Sequence, residues 1–132
     1  MTSSEDSKLR DYIDNWSGRI RGSLLEMAIL YQAAYSERIY PYSMKKAFDN
    51  KWGGFSPPLP TIYSTINRMK SAKLIETTSE VINSRVQKKV VILDKGWEAL
   101  ELMQKELQNF LSVFEYHEKD LKIPRRKKNE KN

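Results

Sequence analysis

The sequence contains no cysteine, one histidine and five glycines in 132 residues. Without cysteine there are no disulfides and no thiolate metal ligands, which fits a cytoplasmic protein. With a single histidine, no Gly-rich phosphate loop and no paired acidic residues in an apolar frame, nothing predicts an enzyme, a metal site or a bound cofactor. Long apolar runs are also missing. The longest aliphatic stretch lies near Val90–Leu93, far short of a bilayer span. The polar start MTSSEDSK predicts no secretory signal.

Basic charge is present, and its distribution says more than its total of +6. Residues 1–37 carry four basic and six acidic side chains. Residues 38–95 carry eleven basic and four acidic, residues 96–121 two and six, and residues 122–132 six and one. A positive middle and a positive tail point to a polyanion as partner. From Asn50 to Lys73 no acidic residue occurs.

The periodicity predicts helices with one β-hairpin. Residues 1–7 read as disordered. Leu9, Tyr12, Ile13 and Trp16 recur at i, i+3, i+4, i+7 on a short helix that Gly18 is expected to close. A longer helix follows, with Ile20, Leu24, Met27, Ala28, Tyr31 and Ala34 as its buried stripe. Pro41 suits the start of a helix running to about Lys51, and Trp52–Pro60 reads as a loop. The next helix spans about Pro60 to Ala72, with Ile62, Ile66 and Met69 inward. Strands over Leu74–Ile82 and Arg85–Leu93 join at Asn83-Ser84, which pairs Val81 with Val86, Thr77 with Val90 and Ile75 with Ile92. A last helix from an Asp94 cap to about Leu121 carries Leu100, Met103, Leu107, Phe110, Phe114, His117 and Leu121 at alternating steps of three and four, a heptad seam. At 1.5 Å per residue this helix is roughly 40 Å long and outreaches so small a domain.

The expected fold class is therefore mainly α with a small β-hairpin: a winged helix-turn-helix plus a long C-terminal dimerisation helix. The expected divisions are an arm and short helix over 1–18, the DNA-binding domain over 19–95, the dimerisation helix over 96–121 and a flexible basic tail over 122–132.

In the helix after Pro60, Thr61, Ser64, Thr65 and Arg68 recur at i, i+3, i+4, i+7, and the sequence places them outward. Short hydroxyls let a helix approach a groove, and an arginine can reach a guanine or a phosphate. Arg85, Lys88 and Lys89 sit at or near the hairpin tip, where cations can straddle phosphates. For Lys88 and Lys89 a second role stays open, the usual placing of lysine on exposed strand edges.

Four segments resemble the PadR-like transcriptional regulators. Leu24-Leu25-Glu26-Met27-Ala28-Ile29-Leu30 is similar to the family's first-helix signature, and Tyr40-Pro41-Tyr42-Ser43-Met44 to its Y-G-Y-E-I segment. Thr61-Ile62-Tyr63-Ser64-Thr65-Ile66-Asn67-Arg68-Met69 is similar to its T-L-Y-x-x-L-x-R-L recognition helix, with Lys73-Leu74-Ile75 in place of D-G-L-I. Lys88 to Gly96 is similar to its K-Y-Y-x-L-T-x-x-G stretch. The resemblance runs from about Arg21 to Leu100. It implies a homodimer on a palindromic operator in double-stranded DNA, with repression the expected mode, in the cytoplasm and associated with the nucleoid. It implies DNA contacts at Thr61, Tyr63, Ser64 and Arg68, supported by Tyr42 and Lys45. It implies a dimer built by the last helix together with the N-terminal helix, which adds Leu9, Tyr12, Ile13 and Trp16 to the heptad positions. Some relatives bind small aromatic molecules between the two long helices, and Trp97, Phe110 and Phe114 are the candidate walls for an effector that the sequence does not identify. Two other readings remain: a winged-helix adaptor for protein partners, and an architectural protein that coats DNA through charge alone.

Overall fold

The structure is a computed structural model and describes residues 3–121; the expected basic arm, 122–132, and the side chain of Leu121 lie outside the described residues. Four helices and a hairpin follow one another: α1 (Ser4–Tyr35), α2 (Pro41–Lys51), α3 (Leu59–Ser71), β1 (Ile75–Ile82), β2 (Arg85–Ile92) and α4 (Asp94–Leu121). This is the winged helix-turn-helix with an added long helix that the pattern predicts.

The N-terminal region departs from expectation. There is one helix where two were expected, and it begins inside the stretch read as disordered. Ser3 accepts from the Asp6 backbone amide at 3.0 Å while Asp6 reaches back to the Ser3 amide, a reciprocal capping box that satisfies two end donors. Glu5 and Asp6 complement the positive end of the helix dipole. A glycine stops a helix by taking a left-handed φ, and Gly18 keeps a helical one. The helix therefore runs through position 18, and its first half projects past the core with Leu9, Tyr12, Ile13 and Trp16 exposed.

The core lies where α1, α2, α3 and the base of the hairpin meet. Leu25, Ile29 and Leu30 of α1 join Met44 and Phe48 of α2, Ile62, Ile66 and Met69 of α3, and Ile75 and Val90 of the strands. Leu100 of α4 closes this cluster at 5% exposure. It packs on its own domain, so its expected place on a dimer seam is corrected. Met103, one turn on, leans partly on the same core.

Two turns set the placing of α3 and the hairpin. Gly53 and Gly54 both take positive φ, 53° and 87°, after α2. The ring cluster Phe48, Trp52 and Phe55, with centroids 5.4–6.2 Å apart, folds that turn back onto α2. At the end of α3, Leu74 donates to the Met69 carbonyl (3.0 Å) and Lys73 to the Lys70 carbonyl (2.9 Å), a Schellman ending with Lys73 left-handed at φ 67°. The hairpin register is the expected one, with Ile75 opposite Ile92, Thr77 opposite Val90 and Val81 opposite Val86. Asn83 and Ser84 both have positive φ, as a two-residue type I′ turn requires. The Val81–Val86 pair is exposed, because the tip of the wing extends beyond the core. Asp94 is the first helical residue of α4 rather than its cap: the Leu93 carbonyl takes the Trp97 amide at 3.0 Å. Gly96 lets α4 cross the hairpin base, since a Cβ there would collide with the Leu74 carbonyl oxygen.

Candidate nucleic-acid interface

The α3 helix has no acidic residue and a strongly one-sided apolar face. Thr61, Tyr63, Ser64 and Arg68 are exposed, as expected. Thr65 is not. At 2% exposure it belongs to the buried face. The reason is helical geometry: at about 100° per residue, position 65 lies only about 60° from Ile62 and about 40° from Met69, at the margin of the buried face. Its hydroxyl cannot meet DNA. The Ser64 hydroxyl donates to the Thr61 carbonyl (3.1 Å) on the surface of the helix.

Arg68 does not stand free. Its Nη2 lies 3.2 Å from the Glu26 carboxylate of α1, and its Nε donates to the same oxygen at 3.3 Å. Both groups remain accessible, the arginine side chain at 61%. The expected outward placing of Arg68 is corrected: it flanks the outward face and meets an acidic neighbour.

Two expected cations are likewise engaged. Lys45 Nζ donates to Ser56 Oγ and to the Pro57 carbonyl, each at 3.0 Å, and pairs with Asp49 at 3.0 Å. Asp49 also accepts a hydrogen bond from Ser56. The Ser56 hydroxyl and Lys45 hold its carboxyl below the usual range. Lys45 thus braces the loop that delivers α3. One residue along the helix, Lys46 points outward, with Nζ 5.8 Å from the centre of the Tyr42 ring. Sequence reading missed Lys46; the turn of α2 that carries Lys45 toward the loop necessarily carries its neighbour away. Lys89 lies 3.3 Å from Glu80, which also accepts from the Tyr40 hydroxyl at 2.5 Å. This ties the wing to the start of α2, and the Val90 amide donating to the Ile39 carbonyl (2.8 Å) reinforces it. Of the open roles for Lys89, the structure gives it an ion pair on a partly buried strand.

The other expected residues converge. Tyr42, Tyr63, Arg85 and Lys88 line one cleft of about 690 Å³ between α2, α3 and the wing, together with Tyr40 and Pro41. No carboxylate lines it. The phenols of Tyr42 and Tyr63 and two cations, with no carboxylate in the lining, suit a phosphate backbone, while the Tyr40 hydroxyl is already given to Glu80.

The chain is similar to the crystal structure of a PadR family transcriptional regulator from Eggerthella lenta, with a TM-score of 0.75 at 19% identity over 83% of this chain and 95% of that one. Its fold is that of the PadR-like regulators. A PadR-like transcriptional regulator from Bacillus cereus gives a TM-score of 0.62 at 27% identity, over 78% of this chain and 95% of that one. Bacillus subtilis PadR, solved in complex with operator DNA, gives 0.55 at 16% identity, over 83% of this chain and 53% of that one. The sequence matches no protein-family model and no curated protein.

Within one chain of this PadR-like fold the three expected effector walls lie on separate surfaces. Trp97 lines an α1–α4 cleft with Tyr31 and Tyr35, while Phe110 borders a separate groove with Leu24 and Met27. Phe114 lies beyond both, exposed. His117 is exposed, its ring edge-on to Tyr116. Among the described residues no group of three or more His, Cys, Asp or Glu could hold a metal ion, and no helix is long and apolar enough to cross a membrane.

Proposed function

We propose that the chain is a sequence-specific, double-stranded DNA-binding transcription regulator that acts as a homodimer on a palindromic operator. The observation that carries the reading is the acid-free cleft holding Tyr42, Tyr63, Arg85 and Lys88 beside the exposed polar face of α3. A phosphate strand seated there leaves α3 in the major groove and the wing tip at the adjoining minor groove. The operator complex of Bacillus subtilis PadR, of the same fold, supports this direction.

Dimerisation rests on the two helices that outrun the core. Trp16 is 49% exposed and Phe114 69%, with Leu9, Tyr12, Ile13 and Phe110 also open. Leu107 and Met103 are half-buried at the α1–α4 groove. Such apolar surface is stable in water when a second copy covers it. Two linked copies make the second half-site an almost intramolecular event. Repression needs only occupancy, since a dimer on promoter DNA excludes polymerase. The reading places the protein in the cytoplasm, on DNA.

The test is binding to palindromic duplex from the protein's own upstream region against scrambled duplex, across salt. A regulator prefers the site by about a thousandfold or more and loses affinity steeply with salt. Equal affinity with the same slope would identify a coating protein; no DNA binding would identify an adaptor. In parallel, light scattering reads a dimer for the wild type and a shift toward monomer for Phe114→Glu.

A further inference from the structure

The outward arc of α3 is not centred where the sequence places it. With Ile62, Thr65, Ile66 and Met69 buried, the direction opposite their mean passes, at about 100° per residue, between Ser64 and Asn67 and close to Ser71. Thr61 and Arg68 lie well to one side of it, Arg68 against Glu26 of α1. On the arc itself two hydroxyls are turned back onto the helix: Ser64 donates to the Thr61 carbonyl and Ser71 to the Asn67 carbonyl at 3.2 Å. They give the helix a low profile, and their protons are committed. Tyr63, at the other flank, faces the cleft beneath the wing.

Asn67 is what remains. It is exposed, and its side-chain amide takes no described partner. Its neighbours on the arc are short, so nothing holds the helix away from a groove floor. An amide presents a donor and an acceptor side by side, the complement of adenine N6 and N7 on the major-groove edge. A hydroxyl cannot make that bidentate pair, and an arginine prefers guanine.

We propose that Asn67 is the base-reading residue of α3 and that it selects adenine at one position of each half-site. The inference rests on the DNA-binding reading above. It assigns specificity to a position distinct from Arg68, which the paired Glu26 holds at the edge of the face.

The test is selection of binding sites from a randomised duplex library by the full wild-type chain, Asn67→Ala and Asn67→Gln, with melting temperatures to confirm folding. The wild-type consensus is expected to hold an A·T pair in each half-site that Asn67→Ala no longer selects, with the remaining positions kept. Affinity of Asn67→Ala for the wild-type site should fall about ten- to a hundredfold. Asn67→Gln, which carries the same amide, should regain adenine preference in part. An unchanged consensus in a folded Asn67→Ala overturns the assignment and leaves DNA binding standing. Failure of the wild type to enrich any sequence overturns both.

Discussion

Arg68 and Glu26, 42 positions apart in the chain, form an ion pair of 3.2 Å that joins α3 to α1. The carboxylate occupies the Nε–Nη2 edge of the guanidinium and adds negative charge beside α3, which has no acidic residue of its own. An accessible pair of this kind contributes about 1 kcal/mol or less to stability. Its main effect falls on what Arg68 is free to touch.

Glu26→Gln removes the charge and keeps the shape. Affinity for scrambled duplex should rise several-fold at low salt, with a steeper salt dependence, because a phosphate gains an unpaired cation. Fluorescence anisotropy on labelled duplex reads this. A fall in affinity would mean that Glu26 aligns Arg68 for binding instead of competing for it.

The tie between the wing and α2 should have two pH limits. The Tyr40 hydroxyl, and then Lys89, hold the Glu80 carboxylate below its usual range against the opposing effect of partial burial. That contribution is complete above the ordinary glutamate range and disappears as pH falls through the lowered folded value. The hydrogen bond to Glu80 raises the Tyr40 phenol. Its share is complete below the ordinary tyrosine range and disappears as pH climbs through the raised value. Melting temperature against pH for wild type and Glu80→Gln should differ most between these limits and converge in acid. Curves that stay parallel into acid would show that Glu80 does not stabilise the wing.

Lys73 is a non-glycine residue at φ 67° in the Schellman ending of α3, where the family pattern carries glycine. A left-handed conformation costs an L-residue with a Cβ about 1 kcal/mol or more. Lys73→Gly should therefore raise the melting temperature by a few degrees. No change would mean that the extra freedom of glycine in the unfolded chain offsets the relief.

Gln32 lies in α1 at 7% exposure, and neither its amide nitrogen nor its oxygen has a partner. An unsatisfied buried polar group costs about 1–3 kcal/mol. Gln32→Met, close in size, should recover much of that in a denaturation midpoint. A lower midpoint would show that the amide is satisfied in solution, for instance by water.

The boundaries of α2, α3 and α4 to within a residue, the hairpin register and the Ile62, Ile66 and Met69 side of α3 were legible because each depends on neighbours in the chain; Thr65, placed outward by the sequence, is buried. Alternation set Thr77 against Val90 through a two-residue turn, and the three-four spacing set Ile62, Ile66 and Met69 inward. The continuity of α1 was less legible. Gly18 has the composition of a stop, yet glycine in a helix costs only about 1 kcal/mol and ends one only where it takes a left-handed φ, which Gly18 does not.

The candidate interface divides along the same line. Sequence alone determined the residue types, the absence of acid from Asn50 to Lys73 and the helix that presents them, since these are properties of composition and period. Tertiary structure alone decided that Glu26 reaches Arg68 and that the loop before α3 claims Lys45, while Arg85, Lys88 and Lys46 stay outward. Pairing of charges depends on distance in space and falls off within a few ångströms. Glu26 and the Ser56–Pro57 loop stand on other elements where no periodicity could reveal them, whereas Asp49, four residues along α2 from Lys45, and Glu80, diagonal to Lys89 in the hairpin, lie at spacings that the sequence does carry.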